Sequence, residues 1–357
     1  MPVFNPSQLL KQLPFISGFY RKPLYYLVES PEWSIRWDGR YITGSLQSSG
    51  LMNAQVANAR KVREARNSII HFGSRNLYLP DGYRIAEASN RVVFTWFHGI
   101  PQDSLYIDAL PEGSRRADLI HTSCEISRQQ LIEWGAEEEK IRIIPLGVDT
   151  SHFHPAAGSE KKDMRSQLGI PEDAFVIGSF HKDGEGWEEG LKPKMIKGPD
   201  ILCDVLENVA EKHRIHVLLT GPARGYVKER LTRAGIDFTH RFLDNYLDIA
   251  PLYRALDLYL VTSRAEGGPK GILESMASGI PLVSTRIGMA PDVIRSGENG
   301  QLADAEDVDA LAAFVQEIIG SPERGEMLAT AAAADASAYD WHRIAERYYR
   351  ELYEPLV

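Results

Sequence analysis

Short apolar runs alternate along this chain with segments in which apolar residues recur every three or four positions. In the first half, the runs lie at residues 24–28, 68–72, 91–97, 118–122 and 141–145. A short, nearly unbroken apolar run is typical of a strand that is buried on both faces. The segments between the runs, in which apolar residues recur every three or four positions, predict helices, for example over residues 52–67 and 127–134. Strands that alternate with helices in this way predict a doubly wound parallel sheet.

The second half of the chain repeats the alternation. Its apolar runs lie at residues 175–180, 215–221, 238–243, 258–261 and 280–284. Between the last two runs, apolar residues recur at helical spacing and stop at Ser278-Gly279. Residues 256–285 therefore predict a βαβ unit with a right-handed crossover. Helices are also expected over residues 307–319 and, as an amphipathic last segment, over residues 339–352.

Length and charge narrow the possible functions. A chain of 357 residues favours two domains over one. The net charge of −9 argues against a nucleic-acid partner bound through its phosphates, although a local basic cleft is still compatible with it. Cys124 and Cys203 lie in apolar contexts without metal-ligand spacing. We therefore expect both thiols to be reduced and buried, as in a cytoplasmic protein.

The N-terminal segment, residues 1–22, mixes apolar side chains such as Leu13 and Phe19 with basic ones such as Lys11 and Arg21. It lacks the order of basic, apolar and small residues that marks a signal peptide. Packing against the body of the protein is the favoured interpretation, and peripheral contact with the cytoplasmic face of a membrane is the alternative. No apolar run in the chain reaches the roughly 20 residues of a membrane span.

Two carboxylates bracket the turn and the first helical residues of the predicted βαβ unit. Glu266 follows the carboxyl end of a strand, where ligands bind in open α/β sheets. The residues after it suit an anion, because glycines allow close approach and the amides of a helix N-terminus face outward. These residues are Gly267, Gly268, Pro269, Lys270 and Gly271. Glu274 lies further along the helix, within reach of a ribose diol, so the pattern predicts a site for an anionic nucleotide.

The same spacing has a plainer interpretation. Lys270 and Glu274 are four positions apart, so they can form an exposed ion pair on a helix, which contributes little. Asp307 and Asp309 likewise have the spacing of a metal-binding motif. Acidic residues favour a helix N-terminus, however, and we interpret this pair as structural.

The string EGGPKGILESMASGIPLVST, residues 266–285, resembles the E-x7-E motif of family-4 retaining glycosyltransferases. The match continues past residue 285, except that Asp292 stands where the family has glutamate. A second string, IRIIPLGVDTSHFHP at residues 141–155, is similar to the interdomain signature of the same family. The resemblance is good from residue 90 to the end of the chain and weak before it.

This resemblance implies an α/β GT-B fold, in which two Rossmann-like, doubly wound parallel-sheet domains face a cleft. It implies an acceptor-side domain in residues 1–150, a nucleotide-sugar-binding domain in residues 151–340, and a C-terminal helix in residues 341–357 that crosses back to the first domain. The implied activity, of EC 2.4 hexosyltransferase type, moves a sugar from a nucleotide-sugar donor to a hydroxyl of a carbohydrate, lipid-linked or small-molecule acceptor. Anomeric configuration is retained, and no metal or other cofactor is expected.

The resemblance also assigns roles to residues. His98 matches a histidine that lines the cleft near the donor sugar, and it is expected to be catalytic together with Glu266. The donor-binding set implied by the resemblance is Lys182, Lys197, Gly267, Gly268, Pro269, Lys270, Gly271 and Glu274.

One departure from the family concerns the cations that grip the donor diphosphate. Lys197 matches the family lysine, but the family arginine is absent, because Ser179 stands in its place. Lys182, in the inserted segment 181–198, is the candidate for the missing charge, with Lys194 behind it. A lysine lacks the bidentate fork of an arginine, so this replacement is not neutral.

Two other classes of protein remain open. A GT-B epimerase or phosphorylase shares the architecture but gives no net transfer from a nucleotide-sugar to an alcohol. The absent arginine also permits a non-catalytic protein that binds sugar nucleotides. A dinucleotide-dependent dehydrogenase is disfavoured, because no G-x-G-x-x-G follows the first strand.

Two further groups of polar and aromatic residues have structural interpretations. Arginines and aromatic rings occur together at helical spacing early in the chain, and we interpret them as the core face of a helix, although such groups also bind sugars and phosphates. This stripe comprises Trp33, Arg36, Trp37, Arg40 and Tyr41. His71 and His121 lie within or at the ends of predicted strands and are expected to be core or rim residues.

Overall fold

The computed structural model describes residues 22–29 and 34–357 of the chain. The segment considered for membrane contact lies outside this part except for its last residue, and Trp33 lies outside it as well. Of the helices in the described part, none combines the length and the apolar character that a membrane span requires. Cys124 and Cys203 are both buried and form no disulfide, as predicted.

In its described residues the chain divides into two compact units, each built on a six-stranded parallel sheet. The first unit runs to Gly147 and also includes Trp341–Val357. Its strands are β1 (Leu24–Leu27), β2 (Ala54–Ala57), β3 (Ile69–Phe72), β4 (Arg91–Thr95), β5 (Leu119–Thr122) and β6 (Ile141–Ile143). The helices that accompany them are α1 (Ser34–Ser48), α2 (Ala59–Glu64), α3 (Arg75–Tyr78), α4 (Ser104–Arg116) and α5 (Glu125–Glu133).

The second unit comprises Val148–Asp340. Its strands are β7 (Phe175–Phe180), β8 (Ile215–Thr220), β9 (Asp237–Arg241), β10 (Leu258–Val261), β11 (Leu282–Thr285) and β12 (Gln301–Ala303). Its helices are α6 (Glu160–Leu168), α7 (Pro199–Ala210), α8 (Gly225–Ala234), α9 (Ala250–Tyr253), α10 (Lys270–Ala277), α11 (Ala290–Val293), α12 (Val308–Gly320) and α13 (Pro322–Ala336). The chain then returns to the first unit as α14 (Trp341–Tyr348) and a π-helical turn at Tyr349–Tyr353.

In each sheet, the strand that comes first along the chain lies in the interior of the sheet. The strand order is β2-β1-β3-β4-β5-β6 in the first sheet and β12-β11-β10-β7-β8-β9 in the second. The winding therefore reverses between β1 and β3, and again between β7 and β10. This confirms the doubly wound parallel sheets predicted from the alternation of strands and helices. Such a reversal leaves a crevice at the carboxyl ends of the two strands, which is where ligands bind in open α/β sheets.

Strand β10 is buried on both faces, which accounts for its unbroken apolar sequence. Leu258 and Leu260 pack into the core cluster formed with α7, α8 and α12. Tyr259 points to the opposite face because side chains alternate along a strand. On that face its ring centroid lies 5.5 Å from that of Phe180 and 5.2 Å from that of Tyr253. These aromatic rings lie beneath the reversal point of the second sheet.

The helix predicted over residues 52–67 is wrong, because these residues form β2 and then α2. Strand β2 is an edge strand that pairs with β1, and its Gln55 is exposed. An alanine-containing strand of four residues with one polar, exposed position gives little strand signal. Asn58 then caps α2 by accepting a hydrogen bond from the backbone N–H of Lys61, at 3.0 Å. In the same sheet, β4 ends two residues earlier than predicted.

The aromatic stripe lies on α1, and its described residues pack within the first unit. Gly39 allows α1 to approach β1, because a Cβ there would lie 2.8 Å from the Tyr26 ring. The ring of Tyr41 stacks on that of Trp341 in α14, with 5.3 Å between the centroids and 4° between the planes. This stacking confirms the core-face interpretation for Tyr41.

A buried chain of polar groups connects the first sheet to the C-terminal residues. His71 Nε2 lies 2.8 Å from Thr95 Oγ1, which lies 3.0 Å from His121 Nδ1. The hydroxyl of Tyr353 is 2.7 Å from His71 Nδ1, and that of Tyr348 is 3.0 Å from His121 Nε2. Both histidines have no exposed surface, which confirms their prediction as core residues.

Acidification is expected to destabilise the protein through these two histidines. Burial lowers the pKa of His71 well below its ordinary value, and the charge of His121 lowers it further. Burial also lowers the pKa of His121 to about 4, although its hydrogen bond to the Ile144 carbonyl acts in the opposite direction. In the unfolded chain both rings titrate near pH 6.5. The unfolded chain therefore binds more protons below about pH 6.5, and the free energy of unfolding falls as the pH drops towards 4.

Urea unfolding of wild type and of His121→Gln between pH 7.5 and 5.5 measures this effect. One buried histidine that stays neutral contributes a loss of about 1.4 kcal/mol per pH unit below pH 6.5. The variant is expected to have a correspondingly shallower dependence on pH. Equal slopes for the two proteins would show that His121 titrates normally in the folded state.

Candidate functional site

The candidate site lies where the second sheet reverses its winding, at the carboxyl ends of β7 and β10. Two segments leave the sheet there: residues 181–198 after β7, and residues 262–269 after β10. The second of these leads into α10, which begins at Lys270. The predicted donor-binding residues lie on these two segments and on α10. The structure therefore collects them on one edge of one sheet.

Lys197 and Glu266 meet at this edge. The Lys197 ammonium contacts the Glu266 carboxylate, and the two side chains are 19% and 13% exposed. The two segments that carry Lys197 and Glu266 approach each other closely at Gly198. The backbone of Gly198 has a φ of +61° and packs against the carbonyl of Thr262. A residue with a Cβ would overlap that carbonyl, so glycine is required. The hydroxyl of Thr262 donates a 2.9 Å hydrogen bond to the Gly198 carbonyl and ties the two segments together.

The loop between Glu266 and α10 is fixed from its other side. The backbone N–H of Met289, just before α11, donates to the carbonyl of Gly267 at 2.8 Å. Pro269 precedes the first residue of α10 and has an extended backbone, as is usual before a helix. The first N–H groups of a helix have no partner within the helix, so they can donate to an anion. Gly268 and Gly271 are partly exposed, so this end of α10 is accessible.

Glu274 is buried, with 4% of its surface exposed. Its carboxylate accepts a 2.8 Å hydrogen bond from the hydroxyl of Tyr253 and another hydrogen bond from that of Tyr246. Burial raises the pKa of Tyr253 well above its ordinary value, and the charge of Glu274 raises it further. Lys270 lies near the same group, with its ammonium 5.2 Å from the centroid of the Tyr246 ring. An exposed ion pair of little consequence does not describe this buried carboxylate.

Three lysines of the inserted segment, Lys182, Lys194 and Lys197, influence one another through their charges. Burial lowers the pKa of Lys194, and the charges of Lys197 and Lys182 lower it further. The Lys182 ammonium lies 4.0 Å from the centroid of the Trp187 ring, whose side chain is largely exposed. A like charge nearby disfavours the charged form of a lysine, and a bound anion would relieve that repulsion. The three lysines therefore add positive charge to this edge of the sheet.

The structure adds an ion pair for which the sequence gives no signal. Asp183 of the inserted segment and Arg224 of the turn after β8 lie 3.0 Å apart, and both side chains are fully buried. A single arginine in a turn and a single aspartate in a loop have no motif that relates them. Their contact depends on β7 and β8 being neighbours in the sheet.

His98 lies in the first unit, in the loop that follows β4. The pKa of the nearby Asp103 is lowered overall. Burial alone would raise this pKa, but hydrogen bonds from Arg75 and from the Ile100 N–H lower it, and so do the charges of Arg75 and His98. Arg75 pairs with Asp103 at 2.7 Å, and its guanidinium lies 4.6 Å from the centroid of the Trp96 ring. These contacts fix the loop that carries His98.

Comparisons with known families match both units. Residues 25–152 match the family model described as Glycosyltransferase Family 4, and residues 190–321 match the one described as Glycosyl transferases group 1. The chain is 28% identical to the D-inositol 3-phosphate glycosyltransferase of Corynebacterium kroppenstedtii over 254 residues, which cover 68% of this chain and 54% of that protein. It is 27% identical to the sulfoquinovosyl transferase of Arabidopsis thaliana over 247 residues, covering 68% of this chain and 46% of that protein. The chain thus spans about half the length of these curated relatives.

A likeness to solved structures extends over nearly the whole chain. The Anabaena protein HepE, solved in complex with UDP and glucose, superposes with a TM-score of 0.75 and 22% identity. The match covers 93% of this chain and 99% of that chain. A likeness at this level of identity concerns the fold, and it confirms the fold class predicted from the sequence.

Proposed function

Because the chain belongs to the group 1 and family 4 glycosyltransferases whose models it matches, we propose that it transfers a sugar from a nucleotide-sugar donor to a hydroxyl group. The GT-B fold, seen here as two six-stranded parallel sheets in the described residues, is the architecture of this family. We propose a carbohydrate or lipid-linked acceptor, a transfer that retains the anomeric configuration, and a reaction that needs no metal.

The arrangement at the end of β10 is the observation that carries this proposal. Glu266 and Lys197 pair at the strand end, the N-terminus of α10 presents its amides, and Glu274 lies inside the first turns of that helix. A nucleoside diphosphate has an anionic centre and a ribose diol, and this site offers partners for both. The helix N-terminus and lysines suit the diphosphate, and the carboxylate suits the diol.

In the proposed reaction, the bond between the anomeric carbon and the diphosphate oxygen breaks, and the acceptor oxygen bonds to that carbon on the same face. The acceptor hydroxyl gives its proton to the leaving diphosphate oxygen. Lys182, Lys197 and the amides of α10 stabilise the negative charge that develops on the diphosphate. Glu266 and His98 orient the donor sugar, so that catalysis is mainly positioning and charge stabilisation.

A screen of UDP-, GDP- and ADP-sugars by thermal shift tests the donor, because a ligand that binds the folded state raises Tm. UDP is the first probe, since HepE was solved with it. The active donor is then incubated with hydroxyl acceptors, with and without EDTA, and the anomeric configuration of the product is read by NMR. Transfer with retention that persists in EDTA supports the proposal. Donor binding without transfer would indicate a binding protein, and activity restored only by a divalent metal would refute the metal-free reaction.

The lysines of the inserted segment are expected to bind the diphosphate of the donor and not its nucleoside. Lys182→Ala and Lys197→Ala should each raise the Kd for UDP about tenfold or more, the size expected for one charge-assisted contact. The Kd for uridine should stay within about twofold, because uridine has no phosphate. Isothermal titration calorimetry with both ligands measures the difference.

Lys162→Ala is the matched control, because Lys162 is an exposed lysine on α6 that pairs with Glu172. It should change neither Kd. An unchanged Kd for UDP in Lys182→Ala would move the proposed role to Lys194 or remove it from the segment.

A further inference from the structure

The inserted segment 181–198 is bonded to the turn that follows β8. The backbone N–H of Gly225 donates to the carbonyl of Glu189 at 2.6 Å, and that of Tyr226 donates to the carbonyl of Gly190 at 3.0 Å. Both donors belong to the first residues of α8. The segment is therefore held against the second sheet by its own backbone.

Arg224 lies beneath this segment and joins its start to two strands. Its Nη1 donates to the carbonyls of Ser179, His181 and Thr220, at 2.8, 2.7 and 3.0 Å. Its other terminal nitrogen lies 3.0 Å from the carboxylate of Asp183. One guanidinium thus fixes the ends of β7 and β8 and the first residues after β7.

The two lysines proposed to replace the family arginine are both attached to this ion pair. Lys182 lies between His181 and Asp183, each of which contacts Arg224. The backbone N–H of Lys194 donates to the carbonyl of Asp183 at 2.7 Å. A shift of Asp183 would therefore move both lysines.

The chemistry of the pair argues for a role beyond stability. Both Asp183 oxygens and Arg224 Nε lack a well-aligned hydrogen-bond partner. In a buried ion pair whose hydrogen bonds are incomplete, the attraction offsets only a small part of the free energy needed to remove two charges from water.

Arg224 also reaches the position of the missing family arginine. Its Nη2 lies 3.3 Å from the Ser179 hydroxyl. We propose that Arg224, paired with Asp183, is a positioning residue that holds Lys182 and Lys194 in place for the donor diphosphate. The guanidinium is fully buried, so it acts through the two lysines. This inference rests on the proposed function.

Calorimetry with UDP and uridine on Arg224→Met tests the role. The Kd for UDP is expected to rise about tenfold or more, because both lysines lose their placement. The Kd for uridine should stay within about twofold. Arg224→Lys, which keeps a charge but loses the fork of donors, should restore part of the UDP affinity.

Arg165→Met is the matched control. Arg165 is also buried, pairs with Asp257 at 2.6 Å and donates to the Ala255 carbonyl at 2.9 Å, but at the amino edge of the same sheet. It should lower Tm without changing the ratio of the UDP and uridine constants. A change in that ratio equal to the one in Arg224→Met would show that loss of any buried arginine has the same effect and would overturn the proposal.

A double-mutant cycle separates positioning from general stability. In a protein that already carries Lys182→Ala and Lys194→Ala, adding Arg224→Met should change the Kd for UDP less than twofold. A further tenfold loss there, or an unchanged ratio in the single variant, would show that Arg224 does not act through the lysines.

If Arg224→Met does not fold, Asp183→Asn tests the same point, because it keeps the Arg224 bonds to the carbonyls. Normal UDP binding by Asp183→Asn would overturn the inference, whereas failure of the wild type to bind any nucleoside diphosphate would refute the proposed function instead.

Discussion

Replacing His98 with alanine is expected to lower kcat by about 100-fold or more, the low end of what one positioned catalytic group contributes. The Kd for UDP is expected to stay within about twofold. His98 belongs to the first unit, whereas the residues proposed to hold the diphosphate and the ribose belong to the second. A residue that contacts the donor sugar only in the transition state changes kcat and leaves nucleotide binding unaltered.

The loop that carries His98 is built for such a role. The carboxylate of Asp103 accepts from Arg75 at 2.7 Å and from the backbone N–H of Ile100 at 3.1 Å. Both bonds fix the loop within a few residues of His98. A histidine held in this way can orient a sugar ring as positive charge grows at its anomeric carbon, with no need to act as a base.

Steady-state kinetics with the donor found in the thermal-shift screen, together with calorimetry on UDP, measures the two effects. His152→Ala is the matched control, because the His152 side chain is 48% exposed and pairs with Asp149, and it has no proposed role. It should leave kcat unchanged. Normal turnover by His98→Ala, accompanied by weaker UDP binding, would make His98 a structural residue.

The sequence predicts those parts of the fold whose burial is continuous. Strand β10 lies in the interior of the sheet and is covered on both faces, so its apolar run has the bounds that the pattern predicts. Strand β2 lies at an edge and its four residues include one exposed glutamine, so the sequence pattern predicts a helix there instead. A strand with one neighbour needs less apolar surface, and its pattern is correspondingly weaker.

The candidate site divides in the same way. Glu266 is recognisable because it follows a strand and begins the E-x7-E motif, and Lys197 is recognisable because it matches the family lysine. The hydroxyls of Tyr246 and Tyr253 at Glu274 were not predicted, since the contacts depend on how α9 and the turn before it pack against α10. Such contacts arise from tertiary packing, so the pattern of residues along the chain does not indicate them.

Glu274→Gln is expected to weaken UDP binding by about 1.5–3 kcal/mol, the range for a hydrogen bond to a charged group. This corresponds to an increase in Kd of about 10- to 150-fold. The carboxylate already accepts hydrogen bonds from the hydroxyls of Tyr246 and Tyr253. Hydroxyls of the donor ribose are proposed to bind to the same carboxylate. Glutamine keeps the shape of the side chain but loses the charge and one acceptor.

Calorimetry with UDP and with 2′,3′-dideoxy-UDP isolates the diol. Wild type should prefer UDP, and Glu274→Gln should lose most of that preference. Tyr253→Phe removes a buried hydroxyl but leaves the carboxylate, so it should lower Tm while keeping the preference. Tyr246→Phe should bind UDP at least as tightly as wild type, because its hydroxyl competes with the ribose for Glu274. If Glu274→Gln kept the full preference for UDP over the dideoxy compound, the carboxylate would serve the packing of the tyrosines and the ribose would bind elsewhere.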